Sequence, residues 1–239
     1  MKILALETSA KSVSAAVVEN GAVLASAYQN MGLTHSVTLM PLVDSMLKNA
    51  GLTAKDMELI AVAAGPGSFT GLRIGVSAAK GLAWALELPC CGVSTLEAMA
   101  ENARAFEGTV ICAMDARRQQ IYNAVFDCHD GALERRCEDR AVALELLAGE
   151  LKNDKNRKIV VGDGAKLCYN YLLEQGIPCS MAPADELYQK AVGVGLAAER
   201  MAAEGRTVTA QELCPVYLRL SQAERERLAK GLPITLDAK

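Results

Sequence analysis

One order of sequence signals occurs twice along this chain, and it constrains the fold more than any other feature. An apolar strand that ends in an acidic residue leads into a hairpin, a helix, a second apolar strand, a glycine-rich turn and another helix. The acidic residues are Glu7 and Asp115, and the hairpin turns contain Gly21 and Gly131. This repetition predicts two related α/β units that follow one another along the chain.

The first glycine-rich turn lies inside the stretch VAAGPGSFTGLRIGVSAAKGLAWAL, between a predicted strand at 58–64 and a predicted helix at 71–87. Glycine lets a backbone approach an anion closely, and the N–H groups at the start of a helix point toward that anion. The turn therefore has the form of a phosphate-binding loop. The candidate residues for a vestigial nucleotide site are Glu7, Thr8, Ser9, Gly65, Gly67 and Ser68.

The repeated order is the plan of the actin, Hsp70 and sugar-kinase class, in which two ribonuclease-H-like domains face each other across a nucleotide cleft. We therefore predict a duplicated, ribonuclease-H-like α/β fold with an N-terminal domain at 1–107 and a C-terminal domain at 108–239. A chance match between two generic α/β units is the alternative, because identity between the halves is low. The other elements predicted from periodicity are strands at 2–7, 12–19, 22–28, 90–93, 109–115 and 121–127, a strand starting at 158, and helices at 35–50, 95–106 and 140–151.

Neither acid-ended strand is followed by the glycine that tight phosphate binding needs. The first loop reads ETSAKS, whereas the second reads DARRQQ and offers Arg117 and Arg118. These arginines fit either phosphate binding or a solvent-facing turn. No G-K-[ST] follows GPGSFTG, and His35 and His129 lack a neighbouring ligand residue, so we expect neither a Walker loop nor a histidine metal site. Weak phosphate binding and a purely structural turn both stay open.

The helix at 71–87 carries the only tryptophan of the chain on a polar stripe. Arg73, Ser77, Lys80 and Trp84 share this stripe, away from the apolar face that should cover the sheet. Tryptophan and arginine are typical anchors of protein interfaces, so we predict that the stripe contacts a partner. The alternative places Trp84 flat beneath a neighbouring loop.

The helix at 35–50 is apolar over roughly 200° of its circumference, which is more than one sheet requires. We therefore expect one side of it to face another chain. The interface candidates on this helix are Met40, Val43, Met46 and Leu47. Pro41 falls inside the predicted helix unless the helix begins near residue 40.

The bulk composition excludes several classes of protein. A net charge of −3 and a pI of about 5.6 argue against a free-standing nucleic-acid binder. The first apolar run stops at Glu7, and no apolar stretch reaches the about 18 residues of a membrane span, so we expect neither a signal peptide nor membrane insertion. The eight cysteines show no C-x-x-C spacing, which predicts reduced thiols and a cytoplasmic protein.

Four stretches together resemble one known family. They read ILALETSAKSVSAAVVENG, AAGPGSFTGLRIGVSAAKGLA, DARRQQIYNAVF and PVYLR (215–219), and they occur in the order that the family shows. The chain closely resembles the TsaB family, which takes part in bacterial synthesis of threonylcarbamoyladenosine on tRNA. The resemblance covers nearly the whole chain, and GPGSFTGLRIG is its most specific part.

The resemblance implies a non-catalytic subunit with the duplicated actin-like fold. Such a subunit pairs with the catalytic homologue TsaD through its first-domain helices, and the small ATPase TsaE completes the complex. The complex transfers threonylcarbamoyl to N6 of the adenosine 3′ of the anticodon. We expect a homodimer when TsaD is absent, tRNA contact through the complex, and no cofactor required by this chain alone, with ATP or ADP at the complex interface.

The catalytic relatives carry a metal-binding H-x-x-x-H after the short strand that follows this helix, and the corresponding stretch here reads VSTLEAM. Thr95 and Met99 stand where the two imidazoles would be, and only Glu97 matches. Neither residue can replace a neutral imidazole ligand, so we expect no metal site here. Two enzyme alternatives remain: a stand-alone phosphotransferase of the actin-like superfamily, which needs a tight phosphate loop, and a glycoprotease, which needs a metal or a nucleophile.

Overall fold

The computed structural model describes residues 1–116 and 120–220 together with Arg227 and Lys230. Arg117, Arg118 and most of the mixed-charge stretch at 219–230 lie outside the described residues. Within the described part of the chain, no helix is long and apolar enough to cross a bilayer.

Two sheets organise the molecule, and the acid-ended strand of each repeat lies at the centre of its sheet. The elements of the first half are β1 (Lys2–Glu7), β2 (Val13–Glu19), β3 (Ala22–Gln29), α1 (His35–Asn49), a short 3-10 turn (Ala54–Asp56), β4 (Leu59–Gly65), α2 (Phe69–Leu86), β5 (Cys90–Ser94) and α3 (Thr95–Asn102). Those of the second half are β6 (Gly108–Asp115), β7 (Gln120–His129), β8 (Ala132–Arg135), β9 (Arg140–Ala143), α4 (Leu144–Leu151), β10 (Lys158–Val161), α5 (Ala165–Glu174), β11 (Ser180–Met181) and α6 (Ala191–Ala203).

The strand order is the same in both sheets. The first sheet runs β3-β2-β1-β4-β5 and the second runs β8-β7-β6-β10-β11, with β9 pairing to β7. In each sheet the hairpin strands pair antiparallel and the strands after the first helix pair parallel to the central strand. The duplicated ribonuclease-H-like fold is thereby confirmed in its topology.

Helix α1 begins at His35 and contains Pro41 inside an otherwise continuous helix. Its apolar arc is divided between two environments. Leu39, Val43, Met46 and Leu47 are buried against the first sheet, whereas Val37 and Met40 are 70% and 41% exposed. The prediction that Val43, Met46 and Leu47 contact a partner is therefore corrected: these side chains fill the core of this chain, and only Met40 remains accessible.

The boundary at residue 108 separates the two sheets but not the two cores. Helix α6, from the second half, packs its small residues onto the face of the first sheet that α1 and α2 do not cover, with Val194 and Ala197 against Ile3 and Ala5. In exchange, α3 from the first half packs Leu96 onto the second sheet. The assignment of all of 108–239 to the C-terminal domain is corrected accordingly, because α6 completes the N-terminal core.

Smaller differences concern element ends. The predicted helix at 140–151 is split into β9 and α4, since Arg140–Ala143 pairs antiparallel with β7 before the helix begins. The predicted helix at 95–106 ends at Asn102. Helix α6 and strand β11 have no counterpart among the predicted elements.

Candidate functional site

A cavity of about 430 Å³ lies between the two halves, at the ends of the central strands. Both halves contribute polar side chains to its wall. The charged and hydroxyl-bearing lining residues that matter below are Ser9, Lys11, Ser68, Asp115, Asp163 and Tyr217. This is the position where the two repeats bring their glycine-rich turns together.

The glycines of GPGSFTG provide space for the chain's own backbone. A Cβ atom on Gly67 would lie 2.5 Å from the Ser9 carbonyl oxygen, and one on Gly71 would lie 2.1 Å from the Thr8 carbonyl oxygen. Gly65 has a φ of +139°, and a Cβ atom on it would lie 2.2 Å from the Val216 carbonyl oxygen. The three glycines therefore let the loop after β1 and the C-terminal segment pack directly against this turn.

Two N–H groups of this turn, those of Ser68 and Gly71, donate within the chain. Ser68 N–H donates to the Ser9 carbonyl at 2.6 Å, and Leu72 N–H donates to the Ser68 carbonyl at 2.8 Å. The Ser68 hydroxyl caps α2 by accepting from Gly71 N–H at 3.3 Å, while the Thr8 hydroxyl donates to the Gly71 carbonyl at 2.7 Å. The N–H groups of Ser68 and Gly71, which a tight phosphate loop would direct at the anion, are thus already engaged within the chain.

Glu7 is fully buried at the end of β1. Its Oε1 atom accepts a hydrogen bond from Ser9 N–H at 2.5 Å, and within the described residues its Oε2 atom has no hydrogen-bond partner. Burial raises the pKa of Glu7 to about 7, an effect that bonds from Ser9 oppose in part. A carboxyl in this position takes up a proton near neutral pH instead of serving as a permanent anion.

The carboxyl of Asp163 faces the cavity from the other half. Burial raises the pKa of Asp163, and Gln189 Nε2–H opposes this by donating to its Oδ1 atom at 3.3 Å. The charge of Lys11 also favours the ionised form of Asp163. The cavity wall thus carries Asp163, whose pKa is raised, and the exposed Lys11, whereas Glu7 is fully buried behind the wall.

Residues 214–220, here called the strap, cross the first glycine turn on their way to the second half. Val216 N–H donates to the Ala64 carbonyl at 2.7 Å, and the Tyr217 ring stacks on Phe69 with centroids 4.3 Å apart. Arg73 covers the other face of this pair, since its guanidinium lies 4.1 Å from the Phe69 centroid and donates to the Tyr217 hydroxyl. Near the end of the strap, Arg219 donates to the Ala116 carbonyl at 2.5 Å. Sequence reasoning had no account of this contact, although PVYLR marked its position.

A groove of about 530 Å³ runs between the N-terminal halves of α1 and α2. Met40 from α1 and Arg73 and Ser77 from α2 line it, and the exposed Val37 lies beside them on α1. We call the groove with Val37 the α1–α2 face. It combines exposed apolar side chains with a guanidinium that is held in place by Phe69 and Tyr217.

The predicted stripe on α2 does not form one surface. Lys80 turns away from the α1–α2 face and donates to the carbonyls of Gln211 and Leu213 at 3.1 and 3.0 Å. Trp84 lies at the other end of the helix and is 73% exposed, so the alternative that buries it under a loop is wrong. The structure keeps Arg73 and Ser77 together and separates Lys80 and Trp84 from them.

Glu97 is held by two arginines at the junction of the halves. Arg135 and Arg200 contact its two carboxylate oxygens at 3.1 and 2.9 Å, and the nearby Thr95 side chain is fully buried. Among the described residues, no group of three or more His, Cys, Asp or Glu side chains is arranged to hold a metal ion. The stretch VSTLEAM therefore forms an ion-pair network that ties α3 to β8 and α6.

Two sheets of identical order facing one cavity place this chain in the class of duplicated ribonuclease-H-like proteins with the actin-type fold. Residues 29–226 match the family model described as TsaD, tRNA N6-adenosine threonylcarbamoyltransferase. Proteins named tRNA threonylcarbamoyladenosine biosynthesis protein TsaB are 34% identical in Bacillus subtilis (strain 168), covering 94% of this chain and 96% of the relative, and 33% identical in Escherichia coli (strain K12), covering 92% and 95%. The chain belongs to the TsaB family.

A solved structure agrees with this assignment. YeaZ from Pseudomonas aeruginosa superposes with a TM-score of 0.77 at 29% identity, over 91% of this chain and 99% of YeaZ. With 91% of this chain covered, the agreement extends over both halves.

Proposed function

We propose that this chain is a non-catalytic partner subunit in tRNA threonylcarbamoyladenosine biosynthesis. In this proposal it binds and activates a TsaD-like catalytic subunit, which transfers threonylcarbamoyl to N6 of the adenosine 3′ of the anticodon. Membership in the TsaB family, whose curated relatives are named for this pathway, supports the assignment. Because the pathway acts on tRNA, the proposal places the chain in the cytoplasm.

The observation that carries the proposal is the α1–α2 face. Val37 is 70% exposed and Met40 is 41% exposed, although Leu39, Val43, Met46 and Leu47 of the same helix are buried. Apolar side chains that line a groove beside a positioned arginine are typical of protein interfaces. A helix from a related catalytic subunit would cover both side chains and fill the groove of about 530 Å³.

The non-catalytic role rests on two further observations. The glycine turn that would hold a phosphate in a phosphotransferase packs against backbone of Thr8, Ser9 and Val216, and its Ser68 N–H already donates to Ser9. Glu97, which matches an acidic residue within the metal motif of the catalytic relatives, is engaged by Arg135 and Arg200. Both features favour a subunit that supports chemistry elsewhere over a stand-alone phosphotransferase.

The remaining partners follow from the same proposal. A TsaE-like ATPase completes the complex, tRNA is contacted through the complex, and ATP or ADP binds at the complex interface, with no cofactor required by this chain alone. Without TsaD, the α1–α2 face pairs with a second copy of this chain, because exposed apolar side chains favour association.

The test is incorporation of labelled threonine into unmodified tRNA by a reconstituted system from the same organism. It is run without this chain, with it, and with the double variant Val37→Glu/Met40→Glu. We expect incorporation to require the chain, and the variant to bind TsaD at least about tenfold more weakly, since two carboxylates would be desolvated in the interface. Binding is measured separately by titration calorimetry.

The matched control is Leu146→Glu, because Leu146 is 56% exposed on α4 of the second half. It should leave binding and incorporation unchanged. Full incorporation without this chain would contradict the proposed function. Normal binding by the double variant together with a continued requirement for the chain would contradict only the assigned face.

A further inference from the structure

A second groove, of about 690 Å³, lies at the C-terminal end of α2, between that end and residues 207–212. Trp84 forms one wall and is 73% exposed, and Leu88 and Pro89 continue the apolar part of the lining. Trp84 follows Arg73 by eleven residues on one helix, which places the two side chains about 16 Å apart along its axis. This groove is therefore separate from the α1–α2 face.

The opposite wall is rigid. Cys90 N–H donates to the Val208 carbonyl at 2.8 Å, and Val208 N–H returns a bond to the Cys90 carbonyl at 2.9 Å. Thr209 then closes a short turn with Glu212, whose Oε2 atom accepts from both the Thr209 N–H and its hydroxyl at 3.0 and 2.8 Å. The groove is thus preformed, so a ligand does not have to order it.

The charge of the groove is negative. Glu87 and Glu212 line it, and among the described residues no Lys, Arg or His side chain does. Hydrogen bonds from Thr209 lower the pKa of Glu212, which keeps this carboxylate ionised. The last turn of α2 carries no basic residue, so the partial negative charge of the helix C-terminus adds to that of Glu87.

Two lysines lie near this wall. Lys80 is turned toward the carbonyls of Gln211 and Leu213. Lys55 does not line the groove but lines a neighbouring depression, which shares Trp84, Glu87 and Leu88 with it. An exposed indole beside two carboxylates and a helix C-terminus is an arrangement that favours a cation with a flat, weakly hydrated surface.

We propose that this groove binds an arginine side chain presented by an extended, otherwise apolar segment of a partner protein. The guanidinium stacks on Trp84 and pairs with Glu87 and Glu212, while apolar neighbours of the arginine contact Leu88 and Pro89. This inference does not depend on the α1–α2 face or on the proposed function.

The experiment titrates the full-length protein with the peptide acetyl-Leu-Arg-Leu-Arg-Leu-amide. Binding is followed by the fluorescence of Trp84, the single tryptophan of the protein. The control peptide carries citrulline in place of arginine, which removes the charge and keeps the planar group. We expect the arginine peptide to bind at least about tenfold more tightly, with an advantage that shrinks as salt is added.

The protein variants Glu87→Gln and Glu212→Gln together should weaken binding of the arginine peptide about fivefold or more. Glu174→Gln, an exposed change on α5, is the matched control and should have no effect. Equal binding of both peptides, no binding of either, or full affinity in the double Gln variant would each overturn the proposal. If Trp84→Glu instead dissociates a homodimer of the free protein, the occupant is a second copy of this chain and the proposal is wrong.

Discussion

Each half of this molecule has a glycine close to the start of a helix that packs against backbone near the end of the central strand, but the two glycines differ in what surrounds them. In the first half, Gly71 accommodates the Thr8 carbonyl, where a Cβ atom would lie at 2.1 Å. In the second half, Gly162 accommodates the Ala113 carbonyl, and a Cβ atom there would lie at the same distance. In both repeats, glycine is required because the helix-starting turn touches backbone at the end of the central strand.

The residues around the two glycines differ in how deeply they are buried. Glu7, Thr8 and Ser9 are fully buried, beneath the strap and the start of α2, whereas Asp115 in the second half is exposed. The strap packs on the first turn through Val216 and Tyr217. Both halves thus keep the close backbone approach beside the cavity, while the acid of the first half is buried and the acid of the second half is exposed.

The largest change in the free energy of unfolding should come from adding a methyl group where a glycine packs against a backbone carbonyl. Gly71→Ala and Gly162→Ala should each destabilise the protein by about 3 kcal/mol or more, because the added methyl meets a backbone carbonyl, and at Gly162 the φ of +109° adds strain. Gly81→Ala is the control: it lies on the same helix as Gly71, has nothing within 4 Å, and should stabilise by about 0.5–1 kcal/mol. Urea unfolding measures all three. A mild Gly71→Ala would break the comparison between the turns.

A change in stability of similar or smaller size should come from the buried carboxyl of Glu7. The pKa of Glu7 is about 7 in the folded protein, above its ordinary value of 4.5, so the folded state binds the proton more tightly than the unfolded state does. The loss of folding stability caused by ionising Glu7 is therefore absent below about pH 4.5 and grows as the pH rises. It is complete above about pH 7, where it reaches on the order of 3 kcal/mol.

Glu7→Gln should remove this loss, so the variant should gain stability over the wild type as the pH rises from 5 to 8. Asp115→Asn is the matched change at the exposed acid of the other repeat, and its stability relative to wild type should vary much less over this range. Thermal unfolding at several pH values distinguishes the two. Parallel curves for wild type and Glu7→Gln would show that Glu7 is not sealed in solution.

The smallest effect should come from the strap. Tyr217→Phe keeps the ring on Phe69 and removes only the hydroxyl that accepts from Arg73 at 3.1 Å. Because this bond is partly exposed, we expect a loss of about 0.5–1 kcal/mol in urea unfolding. Tyr217→Ala should cost more, since the stacking is lost as well. Identical stability of the two variants would mean that the strap does not hold the first turn closed.

The sequence was sufficient for the central strand and the hairpin of each half because apolar runs and glycine turns report directly on strands and hairpins, whereas the short strands β9 and β11 were missed. It also indicated a second environment for α1, through an apolar arc wider than one sheet needs. It could not divide that arc: Val43 and Met40 are equally apolar, and only the position of the sheet decides that Val43 is buried and Met40 is exposed.

The candidate site was harder to predict for a related reason. GPGSFTG has the composition of a phosphate loop, but glycine makes room for any close neighbour, and here the neighbours are Thr8 and Ser9. Helix α6 was missed because its contacts join Val194 to Ile3, nearly the full length of the chain away. Periodicity reports on local structure and carries no information on such a distant partner.

The exchange of α3 and α6 between the sheets makes the two repeats interdependent. A fragment that ends at residue 107 would carry α3 without the sheet that buries Leu96, and would leave Ile3 and Ala5 without the cover of α6. Either repeat alone would thus present a bare apolar sheet face to water. An ancestral single repeat with this helix arrangement would have had to work as a pair of identical chains, each supplying the other's missing helix, before fusion joined them into one polypeptide.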